Sequence, residues 1–141
     1  MTVKDLVDLY FERSIALQNY WTLYVVIIGG LLAFSSMRNR TSAATTLVIS
    51  ILYCCFAYKN LGAIHDTTSQ RAVTLSLIQE VEQQANDKVL SKLLPTMSIP
   101  EYPGVRNFHV FCDALTVLTI WVFELRRRRY ERNPLVEPTE K

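Results

Sequence analysis

The stretch WTLYVVIIGGLLAF, from Trp21 to Phe34, contains no charged residue and is the most apolar part of a longer segment, Ile15 to Ser36. A helix of roughly 20 residues, rising about 1.5 Å per residue, is long enough to cross the roughly 30 Å hydrocarbon core of a bilayer. Tyr20 precedes the stretch, as interfacial aromatic residues do, and Arg38 and Arg40 follow it. We therefore predict a transmembrane helix over 15–36.

Two more apolar segments follow, at 42–61 and 108–125. The turn before the first of them spans only 37–41, so the first two helices must be antiparallel neighbours. The segment 108–125 carries Asp113 inside it and Glu124 near its end, but it lacks Gly and Pro and is followed at once by arginines. Such a basic run is typical of the end of a membrane span. We therefore predict an all-α integral membrane protein with three transmembrane helices.

The polar segment at 63–107 is predicted to lie outside the membrane. Within it, residues 68–94 have the pattern of one amphipathic helix, with apolar residues at steps of three and four from Ile78 to Leu93. Pro95 ends this helix, and the stretch from Pro95 to Arg106 contains three prolines and one glycine, which disfavour a regular helix. We expect an extended return segment that runs back along the amphipathic helix.

The amino-terminal residues 1–14 also have an amphipathic helical pattern, and Thr2 and Asp5 stand at the spacing of a capping box. No Gly or Pro occurs between Thr2 and the middle of the first span, so we favour one continuous helix over one that bends onto the membrane surface. With the helix at 68–94 it would form an extramembrane helical hairpin. Residues 126–141 are expected to form a basic tail.

The basic residues predict the orientation. Arg38 and Arg40 lie in the short turn and an arginine run follows the third span, so in a three-span protein both groups are on one side. The positive-inside rule places that side, with the carboxyl terminus, in the cytoplasm and the amino terminus outside. We expect a bacterial inner (plasma) membrane protein in contact with the lipid bilayer. A net charge of +2 gives no reason to predict a nucleic-acid partner.

Asp113 is the polar intramembrane residue with the clearest argument for a site, because an ionisable group inside a span is costly and by default marks a function. His109 precedes it by four residues and therefore lies on the same helix face. Two interpretations stay open. A structural bond to a neighbouring helix, with Lys59 or Arg71 as a candidate basic partner, is favoured over an ion or proton site.

His65 and Asp66 end the second span on the side of the membrane where His109 and Asp113 lie. The four side chains are of metal-binding types, but the two pairs lack the spacing of known metal motifs. We therefore predict no metal and no cofactor.

The three cysteines, Cys54, Cys55 and Cys112, all fall inside apolar segments and lack CxxC spacing. A disulfide between the second and third spans is conceivable. Free thiols that pack as small apolar side chains are the favoured state, because buried cysteine usually behaves in that way.

Small residues mark the faces through which the first two helices are expected to pack against neighbours. These helix-packing candidates are Gly29, Gly30, Ala33, Ser42, Thr46 and Ser50. A second set of candidates lies beside the membrane and is expected to set the topology and to bind lipid headgroups. It consists of Arg126, Arg127, Arg128 and Arg129.

The sequence contains no Gly-rich phosphate loop, no nucleophile with a placed base and no recognisable carboxylate pair, so we do not expect an enzyme. The first hypothesis is a small polytopic membrane protein that acts as a self-associating or accessory interaction subunit. The alternative is a subunit of an ion-conducting or membrane-permeabilising homo-oligomer with Asp113 at the pathway. A membrane enzyme or redox subunit that uses the His and Asp residues has the least support.

Overall fold

The structure, a computed structural model, describes residues 2–85 and 88–132. All secondary-structure elements within these residues are helices: α1 (Val3–Met37), α2 (Ala43–Ala85), the short α3 (Lys88–Leu93), a 3-10 turn (Leu94–Thr96) and α4 (Tyr102–Arg132). The helices α1, α2 and α4 are each long and apolar enough to span a membrane. The expectation of an all-α chain with three such helices is confirmed.

Helix α1 is one uninterrupted helix that includes both the amino-terminal segment and the first apolar segment. Its first turn is closed by the expected capping box, in which the Thr2 hydroxyl accepts from the Asp5 amide and the Asp5 carboxylate accepts from the Thr2 amide. The bond from the Thr2 backbone amide also holds the pKa of Asp5 below its usual value. The helix ends where Arg38 turns to extended backbone.

Helix α2 differs from the sequence-based expectation of a second span at 42–61 followed by a separate helix at 68–94. It runs without a break from Ala43 to Ala85, and only a short helix, α3, follows. A single glycine, Gly62, costs a helix about 1 kcal/mol relative to alanine. The residues on both sides of it, Asn60 and Ile64, are buried against the other helices, so tertiary packing holds the helix together across this position.

One seam of α2 is buried along almost its whole length, at alternating steps of four and three residues. The seam consists of Thr46, Ser50, Tyr53, Ala57, Asn60, Ile64, Thr67, Arg71, Thr74 and Ile78. The mean spacing of about 3.5 residues keeps a seam directed at its neighbours over many turns. Most of these side chains are polar, and beyond Lys59 the exposed side of α2 carries polar residues as well, including His65 and Asp66.

The return segment is shorter than expected. Pro95 lies in the 3-10 turn, but only Met97 to Glu101 lack helical structure, because α4 already begins at Tyr102. Pro103 is accommodated in the first turn of α4, where its missing amide hydrogen has no helical partner to lose. The expected extended stretch from Pro95 to Arg106 is therefore wrong in its second half.

The carboxyl end of α4 also differs from the expectation of a tail from residue 126. The helix continues through the arginine run to Arg132, consistent with the high helix propensity of arginine. The rest of the predicted tail, 133–141, lies outside the described residues.

The far end of the bundle is closed by a small apolar cluster in which Leu6 and Tyr10 of α1, Ile78 of α2, Leu90 of α3 and Met97 pack together. A polar contact adds to it. The Arg71 guanidinium donates to the Tyr10 hydroxyl (2.8 Å) and to the Ser98 carbonyl (3.2 Å), and the Tyr10 hydroxyl donates to the same carbonyl (3.1 Å). The return segment is thereby fixed to α1 and α2.

The outer surface of the three long helices is strongly apolar. Large aliphatic and aromatic side chains there are half exposed or more, among them Val25, Val26, Leu52, Phe111 and Leu118. Apolar side chains thus cover the outside of the membrane-length segments, while half of the buried side chains among the described residues are polar or charged, a larger share than in the core of a water-soluble protein.

Candidate functional site

Asp113 lies between all three long helices and accepts hydrogen bonds from its own helix, α4, and from the other two. The Tyr24 hydroxyl of α1 and the Tyr53 hydroxyl of α2 both donate to Oδ1, at 2.8 and 2.7 Å. The His109 ring contacts Oδ2 through Nδ1 at 2.8 Å. With three donors around it and a side chain only 22% exposed, the carboxylate connects the three helices. We call this group, together with Asn60, the Asp113 cluster.

His109 is fully buried and engaged through both ring nitrogens. Nδ1 meets Asp113, and Nε2 lies 3.3 Å from the side-chain nitrogen of Asn60. The Asn60 amide can donate to Nε2, and Nδ1 can donate to the Asp113 carboxylate. The Tyr24 ring lies over the imidazole with the ring centres 4.0 Å apart, and Trp21 contacts it from another side.

A second cluster of polar side chains lies near the opposite end of the apolar segments. Its central residue, Glu124, is eleven residues beyond Asp113 on α4. Glu124, whose side chain is completely buried, makes an ion pair with Arg38, accepts from the Thr46 hydroxyl at 3.2 Å and accepts from Arg128 at 3.1 Å. Arg127 approaches the same carboxylate at 3.6 Å. We call these residues the Glu124 cluster. It too connects α1, α2 and α4.

The sequence-predicted basic partners do not reach Asp113. Lys59 is exposed, and Arg71 is committed to Tyr10 and Ser98. The hydroxyls of Tyr24 and Tyr53 bind Asp113 instead. The geometry therefore agrees with a structural hydrogen bond to neighbouring helices, but not with an ion pair to Lys59 or Arg71.

The helix-packing candidates divide into two groups. Thr46 and Ser50 are buried in the seam of α2, and Ser42, at the start of the helix, is half buried and accepts from Arg38 through its carbonyl. The other three, Gly29, Gly30 and Ala33, are exposed, and a Cβ added at either glycine would meet nothing within 4 Å. They do not pack within the chain.

The four arginines after the third apolar segment also have separate roles. Arg127 donates to the Ser35 and Arg38 carbonyls, both at 2.6 Å, and Arg128 binds Glu124. Arg126 and Arg129 are exposed. Two of the four therefore close the end of the bundle, and the other two face outward.

The four side chains of metal-binding types, His65, Asp66, His109 and Asp113, do not come together at one place. His65 contacts Asp66 and Tyr102, and His109 contacts Asp113, as two separate pairs. Within 2–85 and 88–132 no group of three or more His, Cys, Asp or Glu side chains is placed to hold a metal ion.

The three cysteines are free thiols. Cys54 and Cys55 are exposed on the outer surface of α2, and Cys112 is half buried. The first two are thus not packed against the other helices, although Ser50, one turn before Cys54, is buried.

Comparison of the chain with protein-family models, with curated proteins and with solved structures finds no match.

The sequence did not predict that Tyr24, Tyr53 and Asn60 belong to the Asp113 cluster, or that Glu124 connects the helices. A signal for Tyr53 and Asn60 was present, because Thr46, Tyr53, Asn60, Thr67 and Thr74 recur every seven residues along α2. A polar heptad position in a membrane-length helix predicts a buried polar seam. The helix-spanning bonds of Asp113 and Glu124 leave no such local signal.

We expect Asp113→Leu to lower the free energy of unfolding by about 2–3 kcal/mol, because Tyr24, Tyr53 and His109 would lose their shared acceptor. Asp113→Asn keeps one acceptor oxygen and should cost about 1 kcal/mol. Unfolding in mixed micelles, followed by the fluorescence of Trp21 beside the cluster, measures both. Asp66→Leu is the matched control, since that side chain is 76% exposed, and an equal effect of Asp66→Leu would contradict a structural role for Asp113.

Glu124→Gln is expected to destabilise the protein by about 3 kcal/mol, because it leaves several arginines around a buried position without their counter-charge. Adding Arg38→Gln should recover part of this loss, and a double-mutant cycle of unfolding free energies measures the coupling. The control is Glu131→Gln, an exposed carboxylate on the same helix that binds Thr41. Strict additivity of the Arg38 and Glu124 changes would show that the ion pair does not stabilise the fold.

Proposed function

We propose that the chain is a three-span integral membrane protein that acts as a self-associating or accessory interaction subunit, without catalysis of its own. The observation that carries the proposal is the distribution of side chains: exposed apolar surfaces on three membrane-length helices, with buried polar and charged groups bonded to one another between them. A bilayer is the solvent in which that distribution is stable, since lipid tails solvate the outer face and polar groups need partners inside.

The arginines support one orientation. The turn with Arg38 and Arg40 lies beside the arginine-rich end of α4, because Arg127 donates to the Arg38 carbonyl. The positive-inside rule puts this end in the cytoplasm and the amino terminus outside. Helix α2, with 43 residues, is about 64 Å long at 1.5 Å per residue, roughly twice the hydrocarbon thickness. Its second half and the start of α1 would then stand outside the membrane.

The position of Asp113 favours association over ion conduction. A pathway along the axis of an oligomer requires the carboxylate on the outer surface of its helix bundle, and here it is bonded to Tyr24, Tyr53 and His109 of its own chain. A carboxylate with three internal donors is suited to hold helices together rather than to exchange ions.

The outward face of α1 is the surface best suited to contact another helix. Gly29 and Ala33 are four residues apart, the spacing that lets two helix backbones approach closely, and Gly30 is adjacent. This face points away from Tyr24 and Ser35, the buried residues of the same helix. Its small residues are left uncovered by α2 and α4.

Membrane insertion and orientation are tested together by labelling single cysteines with a membrane-impermeant maleimide in intact cells, with the three native cysteines replaced by alanine. A cysteine at Gln83 should react from outside, and a cysteine at Asn133 should react only after the cells are opened. Reaction of Asn133→Cys in intact cells and protection of Gln83→Cys would reverse the orientation, and recovery of the chain in the soluble fraction would refute insertion.

Association is tested with Gly29→Leu and Ala33→Leu, which add bulk to the outward face of α1 without touching the chain itself. Each variant should lower the amount of untagged copy, or of a stoichiometric partner, that is recovered with the tagged protein. The expected decrease is at least about fivefold, which corresponds to a loss of roughly 1 kcal/mol of association free energy. Purification in mild detergent after cross-linking in membranes measures this recovery.

Ala114→Leu is the matched control for the association experiment, because Ala114 is an exposed small residue at membrane depth on α4. It should leave recovery unchanged. Equal losses in all three variants, or recovery of neither a second copy nor a partner with the parent, would count against association through α1.

A further inference from the structure

The arginine-rich end of the bundle carries more positive charge than its own acidic groups neutralise. In the segments 38–41 and 124–132 the sequence has seven arginines and two glutamates. Glu124 is shared among Arg38, Arg127 and Arg128, and Glu131 binds Thr41. Among the described residues neither Arg126 nor Arg129 is paired with a carboxylate, so their charge can meet an external anion.

A cavity of about 390 Å³ opens at this end between the carboxyl ends of α1 and α4. Arg38, Arg126 and Arg127 line it together with Phe123 and Tyr130. Arg127 is held in place by two backbone carbonyls, so one of the guanidinium groups is fixed before any ligand arrives. Arg127 uses Nη1 for those carbonyls and so adds fixed charge, while the exposed Arg126 guanidinium can make the paired hydrogen bonds that phosphate oxygens accept.

A second recess of about 420 Å³ lies on the outer side of α4 and is lined by Val122, Leu125, Arg126 and Arg129. It shares Arg126 with the cavity. Beyond it the exposed face of α4 continues with Leu118 and Leu115, towards the middle of the helix. Arg126 therefore stands between the two recesses, and apolar side chains continue from the second recess along the same face of α4, in the order that a lipid presents its headgroup and its chain.

We propose that these two recesses form one binding site for an anionic phospholipid, with the phosphate between Arg126 and Arg127 and an acyl chain along Val122 and Leu118. The site rests on the proposed insertion in a membrane. A free phosphate would use the arginines but not the adjoining apolar face, so the geometry points to the lipid. Such a contact would hold the arginine-rich end of α4 at the headgroup level, on the side of the membrane that the positive-inside rule assigns to it.

The test is lipid retention by the purified full chain, measured by native mass spectrometry after incubation with phosphatidylglycerol or phosphatidylcholine of identical chains. The parent should retain phosphatidylglycerol preferentially, and Arg126→Gln should lower that retention about fivefold, the effect of one arginine near a phosphate. Arg126 is exposed, and its described contact within the chain is with the Tyr130 ring. The fold should therefore survive, which thermal unfolding checks.

Arg132→Gln is the matched control, because it removes the same charge from the same helix but lies outside both recesses. It should change retention by less than about twofold, since screening weakens a distant charge. Equal losses in Arg126→Gln and Arg132→Gln, or equal retention of the two lipids by the parent, would overturn the site. Displacement of the lipid by inorganic phosphate alone would overturn the assignment to a lipid.

Alkaline extraction of membranes separates this inference from the proposal of insertion. A chain that stays in the membrane pellet but shows no preference for phosphatidylglycerol refutes the lipid site alone. A chain that is released by the extraction refutes insertion as well.

Discussion

The structure depends on one constraint: the carboxylates between the three long helices must find their partners there. Asp113 is bonded to side chains of α1, α2 and α4, and Glu124 is bonded to side chains of α2, of α4 and of Arg38, the residue that caps α1. Burying a carboxylate away from water costs free energy, and burying it without hydrogen-bond partners costs more. The two clusters therefore have few acceptable alternative arrangements.

The two clusters also set the register of α4. They are separated by eleven residues, or about 16 Å along the helix, and each must meet its own level of α1 and α2. A shift of α4 by one turn would break both clusters at once. Apolar contacts alone would permit such a shift, because lipid tails and leucine side chains are equally apolar. Polar bonds therefore supply the specificity of the bundle.

The outer surface is left with features that the fold itself does not use: the small-residue face of α1, and the outward arginines at the end of α4. They are separate in space and chemistry, since one suits a neighbouring helix and the other an anionic headgroup. These two surfaces are the physical basis on which we propose a role in association.

The sequence by itself determined the all-helical fold, the three apolar helices, the capping box at Thr2 and the importance of Asp113, because hydropathy, capping and charge act locally. It did not determine that α2 is continuous or that α4 begins at Tyr102, since packing outweighs a weak local preference there. Only the tertiary structure decided that Tyr24, Tyr53 and Asn60 serve the Asp113 cluster and that Gly29 and Gly30 face outward. These facts depend on the rotation of each helix about its axis, which is fixed by bonds between residues far apart in the chain.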